Sequence, residues 1–242
     1  TDEISPLDLC GKIEDIDHAD RRILIARSKS LPELPEQFSI VPSPPIPTYM
    51  LSSTILGYCQ SLIDETGTHK ALTNFLMRDD PIIEGKNPEE EIISSSLPLD
   101  ESVLEAVTKL EESYIAIQGP PGTGKTTLAS DVIVNLMESG YRVGISSNSH
   151  KAIHELLGGV ERQAAQKNYI FVGCKKASRG FPDSFYDSKL INNQTSVKNI
   201  DIKNTNLIAG TAYLFCNTSL NETLDYLFVD EAGQVSLGHL AA

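Results

Sequence analysis

A glycine-rich segment at residues 119–126 constrains the fold of this chain more than any other feature. Its sequence, GPPGTGKT, fits the pattern G-x-x-x-x-G-K-[ST] at every position. An apolar stretch at 114–118 precedes it, and a helical pattern from Lys125 to about Ser139, closed by Gly140, follows it. Glycines allow successive backbone N–H groups to point inward, and the start of a helix adds its positive dipole end. The segment therefore predicts an anion-binding loop between a strand and a helix.

The side chains of this loop predict Mg²⁺ and ATP as its ligands. Lys125 can reach the β- and γ-phosphates, and the Thr126 hydroxyl can bind Mg²⁺. The residues predicted to hold the nucleotide are Gly119, Pro120, Pro121, Gly122, Thr123, Gly124, Lys125, Thr126 and Thr127. The alternative is a glycine-rich turn without a ligand, which leaves a lysine and a threonine at the helix start unexplained.

A second acidic motif follows a short apolar run near the end of the chain. Tyr226–Val229 predicts a buried strand, and Asp230 and Glu231 come directly after it. Ligands bind at the carboxyl ends of strands in a parallel sheet. We therefore predict that Asp230 orients Mg²⁺ and that Glu231 polarises the attacking water as a general base. The alternative is an apolar strand that simply ends in a polar turn.

From residue 99 onward, helical and strand patterns alternate. Helical spacing predicts helices over about 101–111, 125–139 and 150–165. Apolar runs predict strands at 114–118, 142–146, 169–172, 206–209 and 226–229, and the polar residues 175–205 predict a loop. Strands separated by helices indicate an α/β protein of the P-loop type, with a parallel sheet.

The first hundred residues follow a different pattern. Residues 11–27 predict a β-hairpin, residues 32–47 carry six prolines and predict an extended connector, and helical spacing recurs in two pieces within 50–77. A polar, acidic stretch follows at 79–98. We predict a β-rich accessory region with its connector and helix at 1–78, an acidic linker at 79–98 and an ATPase domain at 99–242.

The formal net charge of −13 argues against a simple basic protein that coats nucleic acid. The excess lies in residues 1–113, which hold 22 acids and 9 bases, whereas residues 114–242 hold 11 of each. Within residues 151–203, nine bases, including Lys175 and Lys176, stand against five acids. This segment predicts a solvated basic loop, some of whose lysines can contact phosphates.

The cysteines and the apolar runs indicate in which cellular compartment the protein resides. The four cysteines form no CxxC pair, which predicts free thiols in a reducing compartment. The polar, acidic start has no signal-peptide pattern, and no apolar run approaches the roughly 18 residues that a membrane span needs. We predict a cytoplasmic protein with no membrane partner.

Four stretches together resemble a known family: IQGPPGTGKTT at 117–127, VGISSNSHKAIHELL at 143–157, IAGTAYLF at 208–215 and LFVDEAGQVSL at 227–237. The chain is similar to the first RecA-like domain of superfamily 1 helicases. The group in question includes the nonsense-mediated-decay RNA helicase and the Okazaki-fragment nuclease–helicase. The likeness is greatest to the helicase part of bacterial proteins that join a RecB-like nuclease to such a helicase. It implies an incomplete RecA-like parallel sheet with a small β-rich accessory region before it.

The resemblance assigns roles to further residues. It makes Gln234 a γ-phosphate sensor, beside the catalytic Lys125 and Glu231. It also matches Ser147, Asn148, Ser149 and Thr211 to segments that contact the backbone of single-stranded DNA or RNA. The alternative for Ser147–Ser149 is capping of the helix at 150–165. Many relatives have a glutamine that reads adenine where this chain has Val103, so adenine specificity is not predicted.

The resemblance also implies partners that are not in these 242 residues. A second RecA-like domain supplies arginines to the ATP site in this family, and a RecB-like nuclease domain is fused in some members. Without those arginines, we expect weak ATP binding and little hydrolysis by this chain alone.

Two alternative functions fit the same glycine-rich loop. One is an AAA+ or other P-loop ATPase, and AAA+ proteins have a much shorter spacing than the 105 residues between Lys125 and Asp230. The other is a chain that binds nucleotide without turnover.

Overall fold

The computed structural model describes residues 11–27, 47–120 and 122–241. Contacts divide the chain into two compact units, residues 1–46 and 47–242. In the first unit, β1 (Gly11–Asp17) and β2 (Arg22–Arg27) pair in antiparallel fashion, so the predicted hairpin is confirmed. The Asp17 carboxylate accepts the backbone N–H groups of Ala19 (2.9 Å) and Asp20 (3.0 Å), which closes the turn. The predicted proline-rich connector lies outside the described residues apart from Pro47.

The second unit contains a parallel five-stranded sheet. Its strands are β3 (Val143–Ser146), β4 (Gly173–Lys176), β5 (Ile191–Gln194), β6 (Leu207–Gly210) and β7 (Tyr226–Val229). Their order is β5-β4-β6-β3-β7, and every neighbouring pair is parallel. The predicted α/β fold of the P-loop, RecA-like type is confirmed.

Both faces of the central strands are buried. The main helices are α3 (Leu99–Thr108), α4 (Lys125–Glu138) and α5 (His150–Gln166). Leu207 and Ala209 of β6 pack into the core that these helices form, whereas Ile208 packs into a second core with Leu214 and Leu220. Successive side chains of a strand point to opposite faces, so a continuous apolar run is what a sheet covered on both sides requires.

Helices α4 and α5 approach closely at a glycine. A Cβ atom at Gly159 would lie 2.2 Å from the Oγ of Ser130, so only glycine fits at this crossing. Ser130 is fully buried, and its hydroxyl donates to the carbonyl of Thr126 (2.6 Å) in the first turn of α4. The helix that begins at the glycine-rich loop is therefore anchored against α5.

Three sequence predictions about strands are wrong. Residues 114–118 form no regular secondary structure and join no ladder among the described strands, although Ile115 packs on the core. The strand predicted at 169–172 begins instead at Gly173, and Phe171 packs into the core ahead of it. The segment 175–205, predicted as loop, contains β5, whose polar sequence INNQ carries no apolar alternation.

Two helices precede the sheet. Helices α1 (Tyr49–Ile63) and α2 (Lys70–Met77) confirm the two predicted helical pieces. Helix α1 contacts two one-turn helices, α6 (Ala212–Phe215) and α7 (Leu237–Leu240), and so belongs to the same unit as the sheet. The three-part division into accessory region, linker and ATPase domain stays a prediction. In the described parts of the chain, every helix is too short or too polar to cross a membrane.

Candidate active site

The glycine-rich loop has the backbone geometry that the motif predicts. Gly122 and Gly124 have φ angles of 79° and 86°, a region that side chains with a Cβ atom rarely adopt. A Cβ atom at Gly119 would lie 2.8 Å from the Oγ1 of Thr123. These three glycines therefore permit a tight curl of the backbone, and the loop is largely exposed at the start of α4.

Lys125 folds back over the loop. Its Nζ donates to the carbonyls of Gly119 (2.5 Å) and Pro120 (2.8 Å), and the Thr123 hydroxyl also donates to the Pro120 carbonyl (2.8 Å). The ammonium group is therefore held directly above the loop backbone. Of the predicted nucleotide-binding residues, Pro121 alone lies outside the described ones.

Topology places this loop at the carboxyl edge of the sheet. Helix α4 leads into the amino end of β3, so its own amino end, with Thr126 and Thr127 in the first turn, lies towards the opposite edge. Both threonine side chains are exposed there. The amino end of a helix offers free N–H groups and a positive dipole to an anion.

Asp230 and Glu231 follow β7 at the same edge. The N–H of Asp230 donates to the Ser146 carbonyl (2.9 Å), which extends the β3–β7 ladder by one residue. The Asp230 carboxylate accepts the N–H of Glu231 (2.9 Å), and Glu231 has a φ angle of 53°. A non-glycine residue in this left-handed region is strained, and Glu231 shares this conformation with other residues of the chain, including Glu222. Glu231 is exposed and Asp230 is half-buried.

Gln234 ends a short 3₁₀ turn that starts beyond Glu231. Its N–H donates to the Glu231 carbonyl (2.8 Å). The Gln234 carbonyl accepts the side-chain Nδ2 of Asn148 (2.6 Å), 86 residues earlier in the chain. The predicted sensor and one predicted nucleic-acid contact are thus joined by a hydrogen bond.

The three residues predicted to contact nucleic acid at 147–149 have different environments. Ser147 is 2% exposed, and its Oγ has no hydrogen-bond partner among the described residues. The Ser149 hydroxyl caps α5 by accepting the N–H of Ala152 (3.0 Å), as the alternative interpretation predicted. Asn148 is exposed.

Thr211 stands at the equivalent place on the neighbouring strand. It follows β6 and is half-buried at the start of α6, where its carbonyl accepts the N–H of Leu214 (2.8 Å). Since β6 is the neighbour of β3, Thr211 and residues 147–149 leave adjacent strands at one edge.

One lysine of the basic segment is not solvated, contrary to prediction. Lys175 is fully buried, and its Nζ contacts the Nδ1 of His150 (3.1 Å) and donates to the carbonyl of Ser184. Burial, followed by the charge of Lys176, lowers the pKa of Lys175 to about 8. Sequence reasoning missed this site because a lysine at the end of a strand resembles any surface lysine.

Burial also perturbs the pKa of His150. Loss of solvation, followed by the Lys175 charge, lowers its pKa from 6.5 to about 4. The unfolded chain therefore binds a proton between these values that the folded protein does not. We expect the free energy of unfolding to fall as the pH drops from about 6.5 to 4, by about 1 kcal/mol per pH unit in mid-range.

Urea unfolding at several pH values measures this dependence. The variant His150→Gln keeps an acceptor for Lys175 but cannot titrate, so its stability should fall less steeply with acid. His18→Gln, at an exposed position in the β1–β2 turn, is the matched control. Equal acid slopes in His150→Gln and the natural chain would contradict this assignment.

The oxygen groups of the site fit magnesium. In the ranges 11–27, 47–120 and 122–241, no group of three or more His, Cys, Asp or Glu side chains is arranged to hold a metal. Mg²⁺ needs less from a protein, since it typically takes one or two side-chain oxygens and substrate phosphates. The Thr126 hydroxyl and the Asp230 carboxylate are such oxygens.

Comparison with known proteins shows which families this chain resembles in sequence. The profile of a family described as "AAA domain" matches residues 100–242. The DNA replication ATP-dependent helicase/nuclease DNA2 of Saccharomyces cerevisiae is 32% identical over 172 residues, which cover 66% of this chain and 10% of that protein. The proteins of the same name from Mus musculus and Homo sapiens are 26% and 25% identical over 207 and 205 residues, covering 76% of this chain and 18% of each. The chain thus spans between a tenth and a fifth of the length of these relatives.

Proposed function

Because this chain belongs to the AAA domain family through residues 100–242, we propose that it is the ATP-binding and ATP-hydrolysing motor domain of a DNA or RNA helicase. One observation carries the proposal. The glycine-rich loop and the Asp230–Glu231 pair, 105 residues apart in the chain, lie at the same edge of one parallel sheet. That edge is where ligands bind in open α/β sheets.

The loop and the lysine would hold the phosphates. The N–H groups at the start of α4 donate to phosphate oxygens, and the missing Cβ atom at Gly119 leaves room for the Thr123 side chain inside the curled loop. Lys125 exchanges the carbonyls of Gly119 and Pro120 for the β- and γ-phosphate oxygens. A charged donor gains strength when its acceptor is also charged, which favours this exchange.

The acidic pair would serve the metal and the water. Thr126 and Asp230 would hold Mg²⁺, which would supply positive charge to offset that of the phosphates. Glu231 accepts a proton from the water that attacks the γ-phosphate, and Gln234 senses that phosphate. Arginines of a second RecA-like domain complete the site, so this chain alone turns over slowly.

The nucleic-acid strand would run along the same edge. Asn148, Ser149 and Thr211 follow the adjacent strands β3 and β6 and are exposed or half-buried, so their short polar side chains suit contacts to phosphate and sugar, whereas Ser147 is buried and would contact a strand only after a local rearrangement. The curated relatives are named as DNA replication enzymes, which favours single-stranded DNA as the first ligand to test. Their names also include "nuclease", so we propose a nuclease domain as a partner within the parent protein.

Measurement of ATP turnover with and without nucleic acid also distinguishes two other functions. Another type of P-loop ATPase would hydrolyse ATP without a response to nucleic acid. A nucleotide-binding chain without turnover would bind MgATP and leave it intact. The long spacing from Lys125 to Asp230 and the named relatives favour the helicase.

ATP turnover with and without single-stranded nucleic acid tests the proposal. In the full-length gene product, we expect turnover that oligo(dT) or a single-stranded RNA stimulates several-fold. The 242-residue chain alone should bind MgATP weakly and release phosphate slowly. Turnover in the full-length product that no single strand stimulates would contradict the helicase assignment, and rapid turnover by the chain alone would contradict the need for a second domain.

A further inference from the structure

We propose that Asn148 is a positioning residue for the γ-phosphate sensor Gln234. Its side-chain amide holds the turn after Glu231 against the exit of β3. The inference rests on the proposed function, since it assigns a role within the same nucleotide site. It gives Asn148 a task that sequence reasoning, which predicted a nucleic-acid contact, did not assign.

The register of the sheet brings the two segments together. Strands β3 and β7 are parallel neighbours, and Ser146 pairs with Val229. The Asp230 N–H then donates to the Ser146 carbonyl (2.9 Å), so the ladder ends at the same level on both strands. Residues 147–149 and 230–234 therefore leave the sheet side by side, and Asn148 can reach Gln234.

The bond acts on the short turn at residues 231–235. Glu231 enters this turn with a left-handed φ of 53°, and the N–H of Val235 donates to the Ala232 carbonyl (3.1 Å) at its end. The turn is closed by the Gln234 N–H on the Glu231 carbonyl (2.8 Å). Asn148 holds the other side of the same residue, because its Nδ2 donates to the Gln234 carbonyl (2.6 Å).

A cavity of about 30 Å³ borders the segment after β3 and the end of the turn, with Ser147, Asn148 and Val235 among its lining residues. The buried Ser147 hydroxyl lacks a hydrogen-bond partner among the described residues. Asn148 supplies the side-chain hydrogen bond that connects Gln234 to the segment after β3.

The two neighbours of Asn148 have other tasks. Ser149 caps α5, and Ser147 is buried under the turn. In the described residues, Asn148 is the member of this trio whose side chain bonds to the Gln234 backbone. A single substitution at Asn148 therefore removes the connection and leaves the helix cap in place.

The test is the preference of the site for a γ-phosphate. Dissociation constants of ADP and ATPγS are measured by calorimetry with Mg²⁺ on the 242-residue chain. In Asn148→Ala, the preference for ATPγS over ADP should fall about three- to tenfold, as expected for one net hydrogen bond. The affinity for ADP should change by less than about twofold, because the contacts of the glycine-rich loop with the nucleotide are intact.

A double-mutant cycle separates positioning from general damage. Gln234→Ala should lower the same preference, and Asn148→Ala should add nothing in that background, because it acts through the Gln234 side chain. Asn221→Ala, at an exposed position ahead of β7 and so at the opposite edge of the sheet, is the matched control. If alanine unfolds the protein, Asn148→Leu keeps a similar size without a donor.

The outcomes distinguish this inference from the proposed function. An unchanged preference in Asn148→Ala, or full additivity with Gln234→Ala, would overturn the positioning role while nucleotide binding stands. Equal affinity of the natural chain for ADP and ATPγS would also overturn it, since no sensor would then need positioning. Failure of the natural chain to bind either nucleotide would overturn the proposed function and this inference with it.

Discussion

Replacement of Lys125 by alanine is expected to weaken MgATP binding by the 242-residue chain about 10- to 100-fold. The Nζ of Lys125 already lies above the loop, bonded to two of its carbonyls at 2.5 and 2.8 Å. Each hydrogen bond to a charged group contributes about 1.5–3 kcal/mol, and one or two such bonds to phosphate give this range. Calorimetry with ATPγS and Mg²⁺ measures the loss.

The control for this substitution is Lys151→Ala. Lys151 is an exposed lysine in the first turn of α5, at the same edge of the sheet, and its removal changes the net charge equally. We expect its effect on nucleotide affinity to be less than about threefold, as for an exposed and screened charge. Similar losses in the two variants would show that Lys125 acts by general charge and not as a phosphate ligand.

Replacement of Glu231 by glutamine is expected to abolish turnover while binding persists. Glutamine keeps the size of the side chain but cannot accept a proton from water, and a general base typically contributes about 10²–10⁴-fold. Nucleic-acid-stimulated ATP hydrolysis by the full-length gene product should fall by that factor. The affinity for ATPγS should stay within about threefold of the natural protein, since the phosphate contacts are unchanged.

Glu222→Gln is an unusually close control for Glu231→Gln. Glu222 is exposed and has a φ angle of 56°, against 53° for Glu231, but it precedes β7 and so lies at the amino edge. Glu222 shares the backbone conformation and the charge of Glu231, but it lies at the edge of the sheet opposite to the glycine-rich loop. Turnover that survives in Glu231→Gln would remove Glu231 from the catalytic role, whatever the control shows.

The glycine-rich loop and the limits of helix α4 could be predicted because they depend on local backbone geometry, whereas the helix predicted over 101–111 lies at 99–108. The positive φ angles of Gly122 and Gly124, and the closing Gly140, follow from a residue type at one position. Helix α4 accordingly begins at Lys125 as predicted. The resemblance to helicases of the nuclease–helicase type, drawn from four such local stretches, is confirmed by the DNA2 relatives. The closer likeness to bacterial fusion proteins stays a prediction.

The errors concern pairing between distant segments. Residues 114–118 have strand composition, but a strand also needs a hydrogen-bonded neighbour, and none of the described strands pairs with them. Strand β5, with the sequence INNQ, pairs through its backbone with β4 and buries one of its four side chains, Ile191, which is too little for a recognisable apolar pattern. Lys175 is buried beside His150 and Ser184, which lie 25 and 9 residues away from it in the chain.

The sequence by itself determined which chemistry this chain can carry: a phosphate loop with its lysine, and two acids at the end of an apolar strand. These are local patterns, fixed by residue type and spacing. Only the tertiary structure decided how Ser147 and Asn148 differ, because burial and hydrogen bonding to Gln234 depend on which strand lies beside β3. The order of strands in a sheet arises from packing of segments that are distant in the chain, and no short pattern encodes it.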